Sequence, residues 1–370
     1  MYRLLLLFVI LSVFARTQEA PKVNNQSNSL EPAVKKEIKA ETDAFVPMEQ
    51  TVQMKLFTSN VQEIQAELNA ISISSTRKSP TQLELQKMQS DLEVLKVVNS
   101  KSFEYNLLNY QVGNYDFSRI ESLKAAERLQ PNHAIVLKEL SAYSYIKNDV
   151  VSLKKYLNKL SSQQFFSKDL QLYAESTLLS LPVNSVLVTH GDQDTYPLLI
   201  QQKLKNTRLD LEIISLDHLQ SDDYRKRMKM NGFLFPESDY IDVQFFKAFM
   251  HLNRNKNIVV ASSVPRSYLS NVDGDMKTVG IGIAFQGFDQ YGDKENVKLY
   301  EKTMKLLIEQ HIQISKDKGL LGNYLPFLFS VRNNYISNNE LDKITEIESV
   351  ILQIAELSNK YQQVNTLLSK

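Results

Sequence analysis

Apolar positions recur every three to four residues through the first half of the chain. Near Ser185 they give way to short blocks of consecutive β-branched residues. This change from a helical to a strand-like pattern organises the sequence. Val52, Leu56, Val61, Ile64, Leu68 and Ile71 predict a helix from Thr51 that ends before STRKSP (75–80). Ser79 as N-cap and Pro80 at the first helical position then open a second helix, with Leu85, Met88, Leu92 and Leu95 as its apolar stripe. Too few heptads follow for a coiled coil, so packing on neighbouring helices is the expected use of that stripe.

Residues 105–132 read as helix, turn at Gly113–Asn114, helix, and a stop at Pro131. Residues 133–160 repeat the plan with KND as the turn, and Gly113 and Asn148 stand 35 residues apart. Helical hairpins at this spacing resemble tetratricopeptide repeats, whose period is ~34 residues. Phe117 or Ser118 replaces the preferred alanine, and Pro131 falls about one residue late. A third helix from Lys168 to Leu181 completes or caps the array. Such arrays offer a groove for a partner protein or extended peptide; equally, two repeats can simply brace the domain that follows.

SVLVTH (185–190) and LDLEIIS (209–215) are strand-like, and a helix is predicted between them from about Thr195 to Asn206. Strand, crossover helix and strand define a βαβ unit with a parallel pair. Helices near 221–231 and from Val243 to Asn253 follow, then strands at 257–263 and 278–286, the latter with two glycines suggesting an edge or close backbone approach. The remainder is helical, over about 294–315, 322–337 and 339–369. The fold class is therefore α/β with a large all-α part: TPR-like hairpins over 51–181, a small, mostly parallel α/β sheet domain over 182–292, and C-terminal helices over 293–370.

The first 17 residues carry an address. Arg3 precedes an apolar run from Leu4 to Ala15, with Val13 and Ala15 placed like the small residues before a signal-peptidase cut. Twelve helical residues rise about 18 Å, short of the roughly 30 Å hydrocarbon core, so a cleaved signal peptide is expected and no permanent membrane span. Residues 18–50, rich in Asn, Gln, Ser, Pro and charges, read as a disordered linker. Export of a chain with no cysteine points to a Gram-negative bacterium's periplasm or envelope, because a eukaryotic secreted protein of this size usually carries disulfides.

Lys+Arg at 43 against Asp+Glu at 42 leaves no field to attract nucleic acid. The missing cysteines exclude thiolate metal sites and nucleophiles. No P-loop, Gly-x-Ser-x-Gly or His-Glu-x-x-His occurs. His133, His251 and His311 lie on predicted helices without a ligand-type partner. Arg225, Lys226, Arg227 and Lys229 read as a solvated helix face.

The candidate chemistry is THGDQDTYP (189–197). Gly191 supplies a positive φ for leaving the strand, and Asp194 or Thr195 caps the next helix, with Asp192 favoured by the helix dipole; every residue then has an architectural task. The alternative starts from position, because ligands of open parallel sheets sit at strand carboxyl ends. There His190, Asp192 and Asp194, joined by Asp217 and His218 after the second strand, make a cage for a divalent cation or hydrogen-bonding groups for a glycan. No cofactor is otherwise expected. A phosphate is disfavoured by two carboxylates and a single glycine.

Gly191, Asp192, Asp194, Thr195, Tyr196 and Pro197, then Asp210, Leu211, Ser215, Leu216 and Leu219, resemble the soluble C-terminal portion of a bacterial family of polytopic, glycosyltransferase-like membrane proteins related to protein O-mannosyltransferases. NRNKNIVVASSVPRSYL (253–269) is similar to a later segment of that family, and the likeness extends over about 105–340. The resemblance implies TPR-like helices preceding an α/β portion associated with glycosylation. His190 and Gln193 replace the family's usual asparagines. The 370 residues contain no counterpart of its multi-span half, so transferase activity is not expected to carry over. Two functions follow: an exported envelope accessory protein that docks a partner through its helices, or a metal- or glycan-dependent site at the 190–194 turn.

Overall fold

A computed structural model describes residues 48–369 of the chain. The expected signal peptide and almost all of the expected linker lie outside them. Helix α1 spans Met48–Ser72 and α2 Gln82–Asn99. The N-cap of α2 is Thr81, not Ser79: its hydroxyl accepts from the Glu84 amide while Glu84 reaches back to the Thr81 amide. This reciprocal capping box satisfies two donors at once. Ser79 is used elsewhere, its Oγ accepting from the Ile241 amide at 2.8 Å.

Two helix pairs follow: α3 (Phe103–Val112) with α4 (Ile120–Leu129), and α5 (Ala134–Ile146) with α6 (Val150–Ser162). The expected turns fall where the pattern puts them, and the left-handed positions are Asn114, Tyr115 and Asn148 rather than Gly113. Helix α7 runs Lys168–Ser180.

The expected βαβ unit is present: β1 (Val186–Thr189), α8 (Asp192–Leu204) and β2 (Glu212–Ser215), with β1 and β2 parallel from Val186↔Glu212 to Thr189↔Ser215. After α9 (Asp222–Met230) and α10 (Val243–Leu252) the chain returns to the other side of β1 as β3 (Ile258–Ala261), again parallel. Helix α11 (Arg266–Leu269) follows. The run at 278–286 is two strands, not one: β4 (Lys277–Val279) and β5 (Gly282–Ala284) form an antiparallel hairpin whose β5 pairs antiparallel with β3. The cause is Gly280, which sits at φ +56° and lets the chain reverse in two residues. Strand order is β2-β1-β3-β5-β4, so the sheet is mixed, with three parallel strands and an antiparallel edge.

The C-terminal helices are α12 (Asp293–Leu299), continuing through a π-turn at Tyr300–Met304 into α13 (Lys305–Ile314), then α14 (Lys318–Leu321), α15 (Leu325–Ser337), α16 (Leu341–Leu357) and α17 (Tyr361–Leu368). The last two were expected as one helix; Asn359 at φ +58° divides them.

Three apolar clusters hold this together. The largest runs from Phe103 to Phe285, so α3–α7 and the sheet share one continuous core. A second joins the C-terminal helices to Tyr173 and Ile281. A third lies within the α1–α2 hairpin and takes in Leu108 and Val112 of α3, with Tyr105 packed against it. Among the described residues no helix is long and apolar enough to cross a membrane.

Candidate functional site

Because β2 and β3 flank β1 on opposite sides, the carboxyl ends of β1 and β3 border a switch in strand order, the usual ligand position in an open α/β sheet. All five candidate residues lie around this edge. What matters is where their polar atoms point.

β1 ends at Thr189 and the chain enters α8 through Gly191, whose φ of +90° is one that side-chain-bearing residues rarely adopt. The Gly191 amide donates to Asp217 Oδ2 at 2.7 Å, and the His190 amide donates to Asp194 Oδ2 at 3.2 Å. The other oxygen of Asp194 accepts from the Ser263 hydroxyl, beyond β3. Neither Asp194 nor Thr195 is the N-cap of α8, as the sequence had suggested: Gly191 holds that position, Asp194 lies in the first turn, and the Thr195 hydroxyl pairs with that of Thr189 at 2.8 Å. Asp192 faces the helical part, accepting from Lys138 Nζ of α5 at 2.6 Å. Strand order brings Asp217 to the turn, where its Oδ1 lies 3.3 Å from Lys78 Nζ.

The five residues therefore divide among three surroundings. Asp194, Asp217 and His190 share the turn. Asp192 belongs to an ion pair with Lys138, which also lies 3.5 Å from Glu139. His218 is buried among the rings of Tyr115, Tyr145, Tyr196 and Tyr224, with centroid distances of 5.7–6.1 Å. Among the described residues no three His, Cys, Asp or Glu side chains are arranged to hold a metal ion.

Lys78 is the residue that pattern reasoning missed. It is 1% exposed, and its ammonium donates to the Ser72 carbonyl at 2.8 Å besides facing Asp217. In the sequence it is one polar residue in a helix-breaking run, with nothing to mark it as buried. Lys138 and Ser263 were equally invisible. The basic run also resolves differently from a solvated face. Arg225 is buried against Asp222, Asp239 and the Leu219 carbonyl; Arg227 lies over Tyr145 and Tyr224 and donates to the Ile146 carbonyl at 3.0 Å. Lys226 and Lys229 are exposed. His311 is buried, its Nδ1 2.8 Å from the Tyr324 hydroxyl.

Burial sets the electrostatics. Loss of hydration holds the His190 imidazole down at about 3, with Lys78 acting in the same direction, and holds His218 at about 4. Burial pushes Asp194 up to about 6. Asp217, although burial would raise it, is kept below the ordinary carboxylate range by Lys78. Lys138 is held above its ordinary value: burial opposes this, but Asp192 and Glu139 outweigh it.

These shifts give a pH dependence with a definite sign. Below about pH 6.5 the unfolded chain protonates both histidines while the folded chain does not, which destabilises the fold as pH falls. Asp194 works the other way, since the folded state takes up its proton first. The two histidines set the sign between about pH 6 and pH 4, where stability falls with pH; Glu139 and Glu212, raised by burial, act with Asp194 and reduce the slope. His133 and His311, lowered by burial, push in the same direction as the other histidines. The melting temperature should fall steadily over this range, and His218→Phe should make the fall shallower; a flat profile from pH 7 to 4.5 would show that the rings are hydrated.

The fold and site define a class: an α/β module set among helices, with the carboxyl edge of its sheet sealed by internal contacts. Residues 170–361, or 192 of the 370, match the family model described as TMEM260-associated domain 2, and the chain belongs to that family. No curated protein and no solved structure matches the chain.

Proposed function

We propose that this protein is an exported, non-catalytic accessory protein of the bacterial cell envelope, on its periplasmic side, that docks to another envelope component through its helices. One observation carries the reading. Each carboxylate at the sheet's carboxyl edge is already engaged within the chain: Asp192 by Lys138, Asp194 by the His190 amide and Ser263, Asp217 by the Gly191 amide and Lys78. Acids committed in this way are poor general bases and poor metal ligands, because each would first have to surrender a charge-assisted hydrogen bond.

The TMEM260-associated family and the resemblance to the soluble portion of glycosyltransferase-like membrane proteins support a place beside glycosylation machinery rather than the transfer reaction itself. In this reading α3–α6 are TPR-like hairpins that brace the α/β part, since their inner side chains are spent on it: the Tyr145 hydroxyl donates to the Ile213 carbonyl at 2.7 Å, and Asn114 to Gln220 at 2.7 Å. Docking then falls to outer surfaces such as α1 and α2, where Val52, Met54, Leu83 and Val97 are 58–87% exposed. A photo-crosslinker placed at Met54 or Leu83 in cells should give one discrete adduct; adducts no more specific there than at Lys226 would count against docking.

The Nε2 of His190 and Nδ1 of His218, unpaired among the described residues, favour a second reading, in which the turn takes a glycan hydroxyl or a divalent cation. A ligand-dependent thermal shift that disappears in Asp192→Ala/Asp194→Ala would select it.

A further inference from the structure

The switch-point cleft is filled by the chain itself, and the manner of filling is that of a bound peptide. Residues 76–79, at the tip of the α1–α2 hairpin, lie against residues 241–243. The Val243 amide donates to the Thr76 carbonyl at 3.0 Å, and the Lys78 and Ser79 amides donate to the Ile241 carbonyl at 2.7 and 3.2 Å. The Ile241 amide returns a bond to Ser79 Oγ, and Arg77 and Asp242 form an isolated antiparallel bridge. From this short strand Lys78 reaches inward and places its ammonium beside Asp217, close to Gly191. A Cβ at position 191 would stand 3.9 Å from Nζ.

Main-chain pairing for affinity and one deep side-chain slot for selection are the two parts of peptide recognition by strand addition. The hairpin that delivers the segment has its own apolar cluster, separate from the core containing the sheet. The tip meets residues 241–243, Asp217 and Ser267 through hydrogen bonds and one ion pair. Next to the ammonium, the His190 ring packs on Tyr268, and both His190 Nε2 and the fully buried Tyr268 hydroxyl lack hydrogen-bond partners among the described residues.

We propose that the cleft at the carboxyl ends of β1 and β3 is a binding slot for an extended, lysine-bearing peptide segment, and that residues 76–79 are its occupant in cis. Asp217 is the selecting group: it recognises a primary ammonium, whose N–H donors it can accept, over an apolar chain of equal length. A segment of the same chemistry supplied by a partner competes with the tip and frees the hairpin. This goes beyond the docking on the outer helices proposed above and does not require it; the crosslinking experiment addresses that function separately.

The test uses the full chain carrying Lys78→Ala and Ser79→Ala, which weakens the internal occupant, and a blocked peptide of residues 74–81. The peptide should bind, and the same peptide with norleucine in place of Lys78 should bind at least about tenfold more weakly. Adding Asp217→Asn to the receptor should abolish that discrimination. No binding to a folded receptor, or equal binding of both peptides, overturns the proposal. A second measurement covers failure of the double variant to fold. Lys78→Ala alone is melted in n-propylammonium chloride and in sodium chloride at equal ionic strength. A higher melting temperature, or recovery of the folded signal, in n-propylammonium and not for wild type supports an ammonium slot; no difference between the salts overturns it.

Discussion

Asp217→Ala is expected to destabilise the protein by about 3–5 kcal/mol, the range for removing one member of a buried ion pair. Two groups lose their partner at once. Lys78 is 1% exposed and has Asp217 as the carboxylate beside its ammonium, so the substitution leaves a buried cation whose nearest remaining partner is the Ser72 carbonyl. The Gly191 amide, at a left-handed position that the turn requires, loses its acceptor as well. Asp217→Asn, which keeps an acceptor for the amide and removes the charge, should fall between the alanine variant and wild type. Replacing both members of the pair, Lys78→Met with Asp217→Leu, should recover part of the loss, because two apolar groups leave no charge stranded. Urea unfolding measures each. If Asp217→Ala shifts stability by less than about 1 kcal/mol, as an exposed pair would, the pair is hydrated in solution.

Gly280→Ala should be comparably damaging for a steric reason. A Cβ there would lie 2.3 Å from the Ser180 carbonyl oxygen and 2.6 Å from its hydroxyl, at a position with φ +56°. The obstacle is backbone at the end of α7, which cannot rotate aside. The surroundings also pin the turn: the Gly280 amide donates to Asn296 Oδ1 at 3.1 Å and the Ile281 amide to Ser180 Oγ at 3.0 Å. Left-handed backbone and overpacking together should cost about 3 kcal/mol or more. Gly232→Ala separates the two effects, since its φ is +78° but a Cβ there meets only the end of the Lys256 side chain at 3.3 Å. It should cost about 1 kcal/mol. Equal losses at the two positions would mean that the Ser180 contact is looser than described.

The elements were legible where one period dominated. Leu85, Met88, Leu92 and Leu95 announced α2, and the β-branched blocks at 185–190, 209–215 and 257–263 announced all three parallel strands. The run at 278–286 reads as one strand because its reversal needs only two residues; its two glycines suggest an edge or a close backbone approach, and Gly280 does meet the Ser180 backbone closely. The site was legible in part. Position alone put His190, Asp192, Asp194, Asp217 and His218 at the carboxyl edge of the sheet. Their partners were hidden, because Lys78, Lys138 and Ser263 arrive from 54 to 139 residues away along the chain and carry no local pattern. A lysine in a polar loop reads as solvated unless the fold that buries it is known.

Thermal melting of the full wild-type chain with calcium, magnesium, manganese or mannose, beside the Asp192→Ala/Asp194→Ala variant, tests most directly whether these acids serve the architecture. The wild type should melt at the same temperature with and without each ligand, and the variant should melt lower by an amount that no ligand alters. A wild-type shift that the double substitution removes would contradict the account.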